Sequence, residues 1–258
     1  MFKIVLDAGH GRYTAGKRCL KTIDPNETRE WILNSRICDK IETLLTHYEG
    51  YTLLRVDDKT GETDVALKTR TDTANNWKAD FFLSVHHNAG INGGSGGGAE
   101  VYVYTSPSAK SVEYQNVIHD CFIAQTGKFG NRSNETPRKN LHVCRETNMP
   151  AVLIECGFMD SSTDTPMILT EEFADEAARG LTDALVKIGG LKKKEEGMKV
   201  EAKFTDIQGH YAEKQIKEVF EMGIVNGVDE THFEPDEPVT RAQAAIIARN
   251  IVRYITGK

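Results

Sequence analysis

The sequence has no Cys-x-x-Cys pair. Its five cysteines, Cys19, Cys38, Cys121, Cys144 and Cys156, are odd in number and far apart. That excludes a disulfide framework and a thiolate zinc site, and fits free thiols in a reducing compartment. No apolar run approaches the length of a membrane span. The opening residues, MFKIVLDAGHG, lack a basic segment, a long apolar stretch and a small-residue cleavage site. The expectation is synthesis in the cytoplasm without export through a classical signal. Basic clusters are also scarce. Against a net charge of −6, only Lys192-Lys193-Lys194 is dense, and it reads as a solvated linker. No nucleic-acid partner is expected.

What is present is a chain of 258 residues, 39% hydrophobic and 27% charged, enough for one sizeable soluble domain and a small one. Apolar runs at Phe2–Leu6, Tyr51–Val56, Phe81–Val85, Glu100–Tyr104 and Ala151–Glu155 read as strands. Several are nearly continuous, as in a sheet covered on both faces. Helical spacing lies between them. Ile37, Ile41, Leu44, Leu45 and Tyr48 share one face of a helix that starts near Trp31, with Thr28 or Asn26 as its cap. Tyr114, Val117, Ile118 and Cys121 mark a second helix; Phe173, Ala177, Leu181, Ala184 and Ile188 mark a third. Alternating strands and helices predict an α/β domain over 1–190 with a largely parallel twisted sheet.

Glycine and dense charge then make a linker over 191–203. Residues 204–258 carry two amphipathic patterns. One holds Ala212, Ile216, Val219 and Phe220; the other opens at Thr240 and holds Ala245, Ala248, Val252 and Ile255. This predicts a small all-α module. About 55 residues is small for an independent core, which points to a partner.

Four chemically capable residues sit at element ends. His10 lies just past the first strand, between glycines, and His86 and His87 end another strand. Glu30 opens the first long helix, and Glu155 closes the strand AVLIE. Ligands of open α/β sheets gather beyond the carboxyl ends of strands. Two imidazoles and a carboxylate form a common catalytic zinc set with a position left for water. A further carboxylate can take that water's proton. Each residue also has an ordinary reading: a hydrogen-bonded structural histidine, or a glutamate complementing a helix dipole.

The motifs VLDAGHG, EWILN, LKTRTDTANNWKADFFLSVHHNA, GAEVYVY and MPAVLIECGFMDS occur in this order. With them, the first 190 or so residues resemble the type-3 family of zinc-dependent N-acetylmuramoyl-L-alanine amidases. The resemblance implies cleavage of peptidoglycan between muramic acid and L-alanine. It implies Zn2+ on His10, Glu30 and His86, with Glu155 as the catalytic carboxylate. Asn88 falls in the family's Ser-x-His-x-Asn-Ala motif and is a candidate substrate contact. His87 stands where the family has a small residue. Strand alternation turns it away from His86, toward a structural or supporting role. The family often reads GHGGxDPGA after its first histidine; here the stretch is GHGRYTAGKR, as in a subset common among phage lysins. Arg12 and Lys17 in it are contacts for peptide-stem carboxylates or ordinary surface residues.

The stretches FTDIQGHYAEKQI, GIVNG and HFEPDEPVTRAQAAIIARNI resemble one S-layer homology (SLH) domain. The resemblance implies binding of secondary cell-wall polysaccharide on Gram-positive walls. Tyr211 stands where tryptophan is more usual. Arg241 of Thr-Arg-Ala-Gln is placed to pair with an anionic sugar substituent, or with a surface carboxylate. Such domains typically act in threes, and here there is one. An internal start at Met198, preceded by Lys194-Glu195 codons that can spell a ribosome-binding sequence, would release a free SLH fragment to complete the set. An ordinary linker methionine is the alternative, and homotrimerisation the fallback. A wall amidase with a wall-binding tail reads best as a phage endolysin reaching peptidoglycan through a holin lesion. A host autolysin, a zinc peptidase of the stem peptide and a non-catalytic wall-anchoring protein are the other readings.

Overall fold

The computed structural model describes residues 1–127, 135–194 and 203–256, in two units, 1–194 and 195–258. The first unit runs β1 (Phe2–Ala8), α1 (Glu30–Leu45), β2 (Tyr48–Glu49), β3 (Tyr51–Arg55), α2 (Leu67–Trp77), β4 (Phe81–Asn88) and β5 (Glu100–Tyr102). It continues with α3 (Ala109–Thr126), α4 (His142–Arg145), β6 (Ala151–Phe158), α5 (Thr165–Ile168), α6 (Glu171–Gly189) and β7 (Lys192–Lys193). The sheet order is β3-β1-β4-β6-β5, parallel except for β5, which runs antiparallel to β6.

Alternation along each strand builds two apolar layers. Ile4, Leu6, Phe81, Leu83, Val85, Val152 and Ile154 face α1, α3 and α6. Val5, Phe82, Ala151 and Leu153 face α2 and α4 through Ala74 and Val143. The chain leaves β1 toward β3 on one side and leaves β4 toward β6 on the other. The carboxyl ends of β1 and β4 therefore flank the switch point where open α/β sheets leave a crevice.

Several details differ from expectation. The N-cap of α1 is Arg29, with no side-chain cap. Asn26 and Thr28 instead donate their main-chain N–H groups to Asp24, shaping the turn that leads in. Strands β4 and β6 run on past their apolar runs, so His86, His87 and Glu155 lie within strands. Residues 191–194, placed in the linker by their charge, belong to the first unit. Leu191 is buried, Lys192 and Lys193 pair with β2, and the N–H of Lys194 donates to His47 O. Met198 lies outside the described residues.

In the second unit, α7 (Glu213–Glu221) and α8 (Arg241–Thr256) occupy the predicted segments. A reciprocal box opens α8: Thr240 N donates to Gln243 Oε1, and Gln243 N donates to Thr240 Oγ1. The buried core is small, formed by Phe204, Ile207 and Ile216 with Phe220 and Phe233 against them. Much of α8 stays in solvent: Val252 is 58% exposed and Ile255 76%.

Candidate metal centre

The centre is assembled from three neighbouring strands and one helix start. His10 follows β1 with φ at 66°, a left-handed conformation that a residue with a side chain adopts only under constraint. A Cβ on Gly9 would collide with the His86 ring, so only glycine admits the imidazole there. Glu30 is the first residue of α1 and is buried. Register pairs His86 on β4 with Glu155 on β6, and Glu155 with Glu100 on β5, so these three stand in one row on one sheet face.

His10 Nε2 lies 3.3 Å from Glu30 Oε2, and His86 Nδ1 lies 3.0 Å from Glu30 Oε1. The two rings meet edge to face at 4.9 Å. Burial alone would raise the Glu30 carboxyl, but hydrogen bonds and charge from His10 and His86 outweigh it and hold Glu30 well below its usual range. Glu30 in turn raises His86 against the opposing effect of burial. The main-chain N–H of His87 donates to Glu30 Oε1. Its ring points to the α1 side, where burial pushes it down to about 3 and keeps it neutral. Burial pushes Glu155 up to about 7, with His86 pulling down and Glu30 pushing up.

Arg12 stacks over Trp31 at 5.1 Å and lies 3.8 Å from Glu62. Lys17 Nζ reaches 3.6 Å from Glu30 Oε2 and remains half exposed. Asn88 has both ends of its amide engaged: Nδ2 donates to Glu100 Oε2 and Oδ1 accepts from Ala89 N. Glu100 also accepts from Tyr102 OH. Under His10, the buried Arg70 donates to Asp7 Oδ1, Ala8 O and His10 O. Neither Glu100 nor Arg70 stands out in the sequence. The signal for Arg70 was Asp7, a carboxylate inside an apolar strand that requires a buried partner.

His10, Glu30 and His86 offer one ligand atom each within 4.8 Å of one another, and among the described residues they are the group found able to hold a metal. Glu30 Oε2 is buried without a hydrogen bond of good geometry, although two cation-forming side chains face it. A buried oxygen and two imidazoles with one unfilled carboxylate lone-pair direction fit a divalent metal of the zinc type. Glu155 Oε2, beside them in the row, likewise has no partner among the described residues.

Fold and site thus define a class: an α/β protein with a His-Glu-His group able to hold a metal at the switch point and a spare carboxylate alongside. The family model for N-acetylmuramoyl-L-alanine amidase matches residues 4–187, and the S-layer homology domain matches residues 203–245. The chain belongs to the N-acetylmuramoyl-L-alanine amidase family. The sporulation-specific N-acetylmuramoyl-L-alanine amidase of Bacillus subtilis (strain 168) is 39% identical over 194 residues, covering 75% of this chain and 70% of that protein. The endolysin of Bacillus phage SPP1 is 35% identical over 201 residues, covering 76% and 70%. Among solved structures, the catalytic domain of the amidase CwlV from Bacillus (Paenibacillus) polymyxa var. colistinus matches with a TM-score of 0.65 at 28% identity. It covers 74% of this chain and 100% of that one.

In the second unit, Tyr211 is 90% exposed and its ring leans on His210 at 4.4 Å. Arg241 is exposed at the start of α8.

Proposed function

We propose that this amidase is zinc-dependent, with His10, Glu30 and His86 as the protein ligands and Glu155 as general base and acid. The buried triad with the unpartnered Glu155 oxygen beside it carries the reading. A zinc ion held there supplies Lewis acidity at the scissile amide. Glu155 takes a proton from the attacking water and delivers it to the departing L-alanine nitrogen. The bond between the lactyl carbonyl and that nitrogen breaks, leaving a carboxylate and a free amine. Arg70, by gripping Ala8 O and His10 O, keeps His10 in its left-handed conformation. Lys17, nearest the triad, and Arg12 face the carboxylates of the peptide stem, and Asn88 bounds the site by fixing Glu100.

Digestion of purified Gram-positive walls with and without a chelator tests this. New N-terminal L-alanine should appear, vanish on chelation and return with zinc. A different new amine would move the scissile bond into the stem peptide. No release, with zinc bound and walls adsorbed, would make the chain a binding protein.

The SLH unit is proposed to hold the enzyme on wall polysaccharide through Tyr211 and Arg241. The apolar residues exposed on α8 support assembly with further SLH units, either from other full chains or from a fragment started at Met198. Expression of the native gene should yield, beside the full chain, a fragment beginning at Met198. A single full-length species that is monomeric in solution would end both versions. Similarity to a phage endolysin supports action as an endolysin, released through a holin lesion after synthesis in the host cytoplasm. A host autolysin is the second reading, favoured by the comparable identity to the sporulation-specific amidase.

A further inference from the structure

His87 is buried and outside the proposed ligand set, yet its main-chain N–H meets Glu30, it follows His86 in the strand, and its ring reaches the peptide before His10 through Asn34. We propose that His87 is a positioning residue which, with Asn34, closes a second ring of hydrogen bonds that presets His10, Glu30 and His86 for the metal. The inference rests on reading that triad as a metal set.

Asn34 lies one turn beyond Glu30 on α1, on the same helix face. Its Nδ2 donates to Gly9 O at 3.1 Å. A carbonyl oxygen only accepts, so this bond fixes which way the amide points. Asn34 Oδ1 then faces His87 Nδ1 at 2.8 Å. An amide oxygen also only accepts, so His87 Nδ1 must carry the proton. His87 Nε2 is left with a bare lone pair, buried and without a partner among the described residues.

The side-chain link bears on His10, while the His87 main chain meets Glu30 and follows His86. Gly9 O belongs to the peptide plane that leads into His10, the residue held at φ 66°. Asn34 therefore steadies that plane, and His87 steadies Asn34. The main-chain N–H of His87 holds Glu30 Oε1 at 3.2 Å. His86 is its neighbour in the strand, where the register with β6 shifts between His86 and Asn88. Losing the His87 side chain frees Asn34 to rotate, which releases the Gly9 peptide plane and with it His10.

The test measures zinc affinity of the full chain by competition with a chromophoric chelator, alongside the melting temperature of the zinc-free protein. His87→Leu should bind zinc about 10–100-fold more weakly than wild type, the range for losing an outer contact to a ligand set. His87→Gln keeps an N–H donor for Asn34 Oδ1 and should recover most of that affinity at similar volume. Asn34→Ala should match His87→Leu, and the double variant should be no weaker than the worse single one, because the two act as a unit. Should His87→Leu not fold, Asn34→Ala carries the same prediction. Wild-type affinity in either folded variant would overturn the inference while leaving the metal reading intact. Equal weakening in His87→Leu and His87→Gln would assign the effect to packing and overturn it too. Wild-type protein that binds no zinc would overturn the metal reading and this inference together.

Discussion

Glu155→Gln is expected to lower kcat for amide cleavage by about 10²–10⁴-fold, the usual worth of a positioned general acid–base group. The substitution keeps shape and volume, so the row His86, Glu155 and Glu100 across β4, β6 and β5 should persist. What is lost is the ability to take and return a proton at Oε2, an atom whose hydrogen-bonding capacity nothing described in the fold uses. Zinc content should be unchanged, because the triad does not include Glu155. Neutralising Glu155 is not expected to destabilise the fold, since the nearby carboxylates of Glu30 and Glu100 both oppose its ionisation. The check is the initial rate of new N-terminal alanine from purified walls, with zinc stoichiometry measured on the same sample. Near-wild-type turnover at full zinc occupancy would remove Glu155 from the chemistry and leave its buried oxygen unexplained.

The triad and Glu155 were legible because strand and helix ends are legible. A polar residue that interrupts an apolar run at a strand's carboxyl end is visible without coordinates. So was the amphipathic face of α1, whose Ile37 and Ile41 are buried. Helix α2 was not legible. Of its eleven residues only Arg70, Thr71 and Ala74 are buried, so no apolar stripe announces it. Arg70 was lost with it, since an arginine among lysine, threonines and aspartate reads as surface. Glu100 was hidden for another reason. Its significance comes from the antiparallel β5 joining a parallel sheet, a pairing that places it opposite Glu155 and that no local pattern encodes. The caps of α1 failed because the turn is organised by the Asp24 carboxylate, which accepts from the main-chain N–H groups of Asn26 and Thr28, so the helix starts after Arg29 instead.

Arg70→Met should be the most damaging single change outside His10, Glu30 and His86. Arg70 and Asp7 are both 1% exposed and meet at 2.6 Å, with Ser84 Oγ completing the acceptor side of Asp7. Breaking such a pair leaves a buried charge uncompensated, at a cost of about 3–5 kcal/mol. For a unit of this size that corresponds to a fall in Tm of roughly 6–20 °C, at about 2–4 °C per kcal/mol. A second loss falls on the site. Ala8 O and His10 O lose their donor, and nothing else described holds His10 O in place against the strain of φ 66°. The two losses separate in the double variant Asp7→Asn/Arg70→Met. Neutralising Asp7 removes the stranded charge, so thermal stability should partly return. Zinc affinity should stay low, because the carbonyls around His10 still lack a donor. Calorimetry on the zinc-free proteins and chelator competition on the same samples make the comparison. A double variant that regains both would reduce Arg70 to a partner of Asp7. A single variant that melts with wild type would mean that Asp7 finds another compensating partner and that the ion pair is dispensable to the fold. The expected split, stability recovered and zinc affinity not, follows from the guanidinium spanning both jobs: one edge neutralises Asp7 in the strand, and the other holds the backbone around His10.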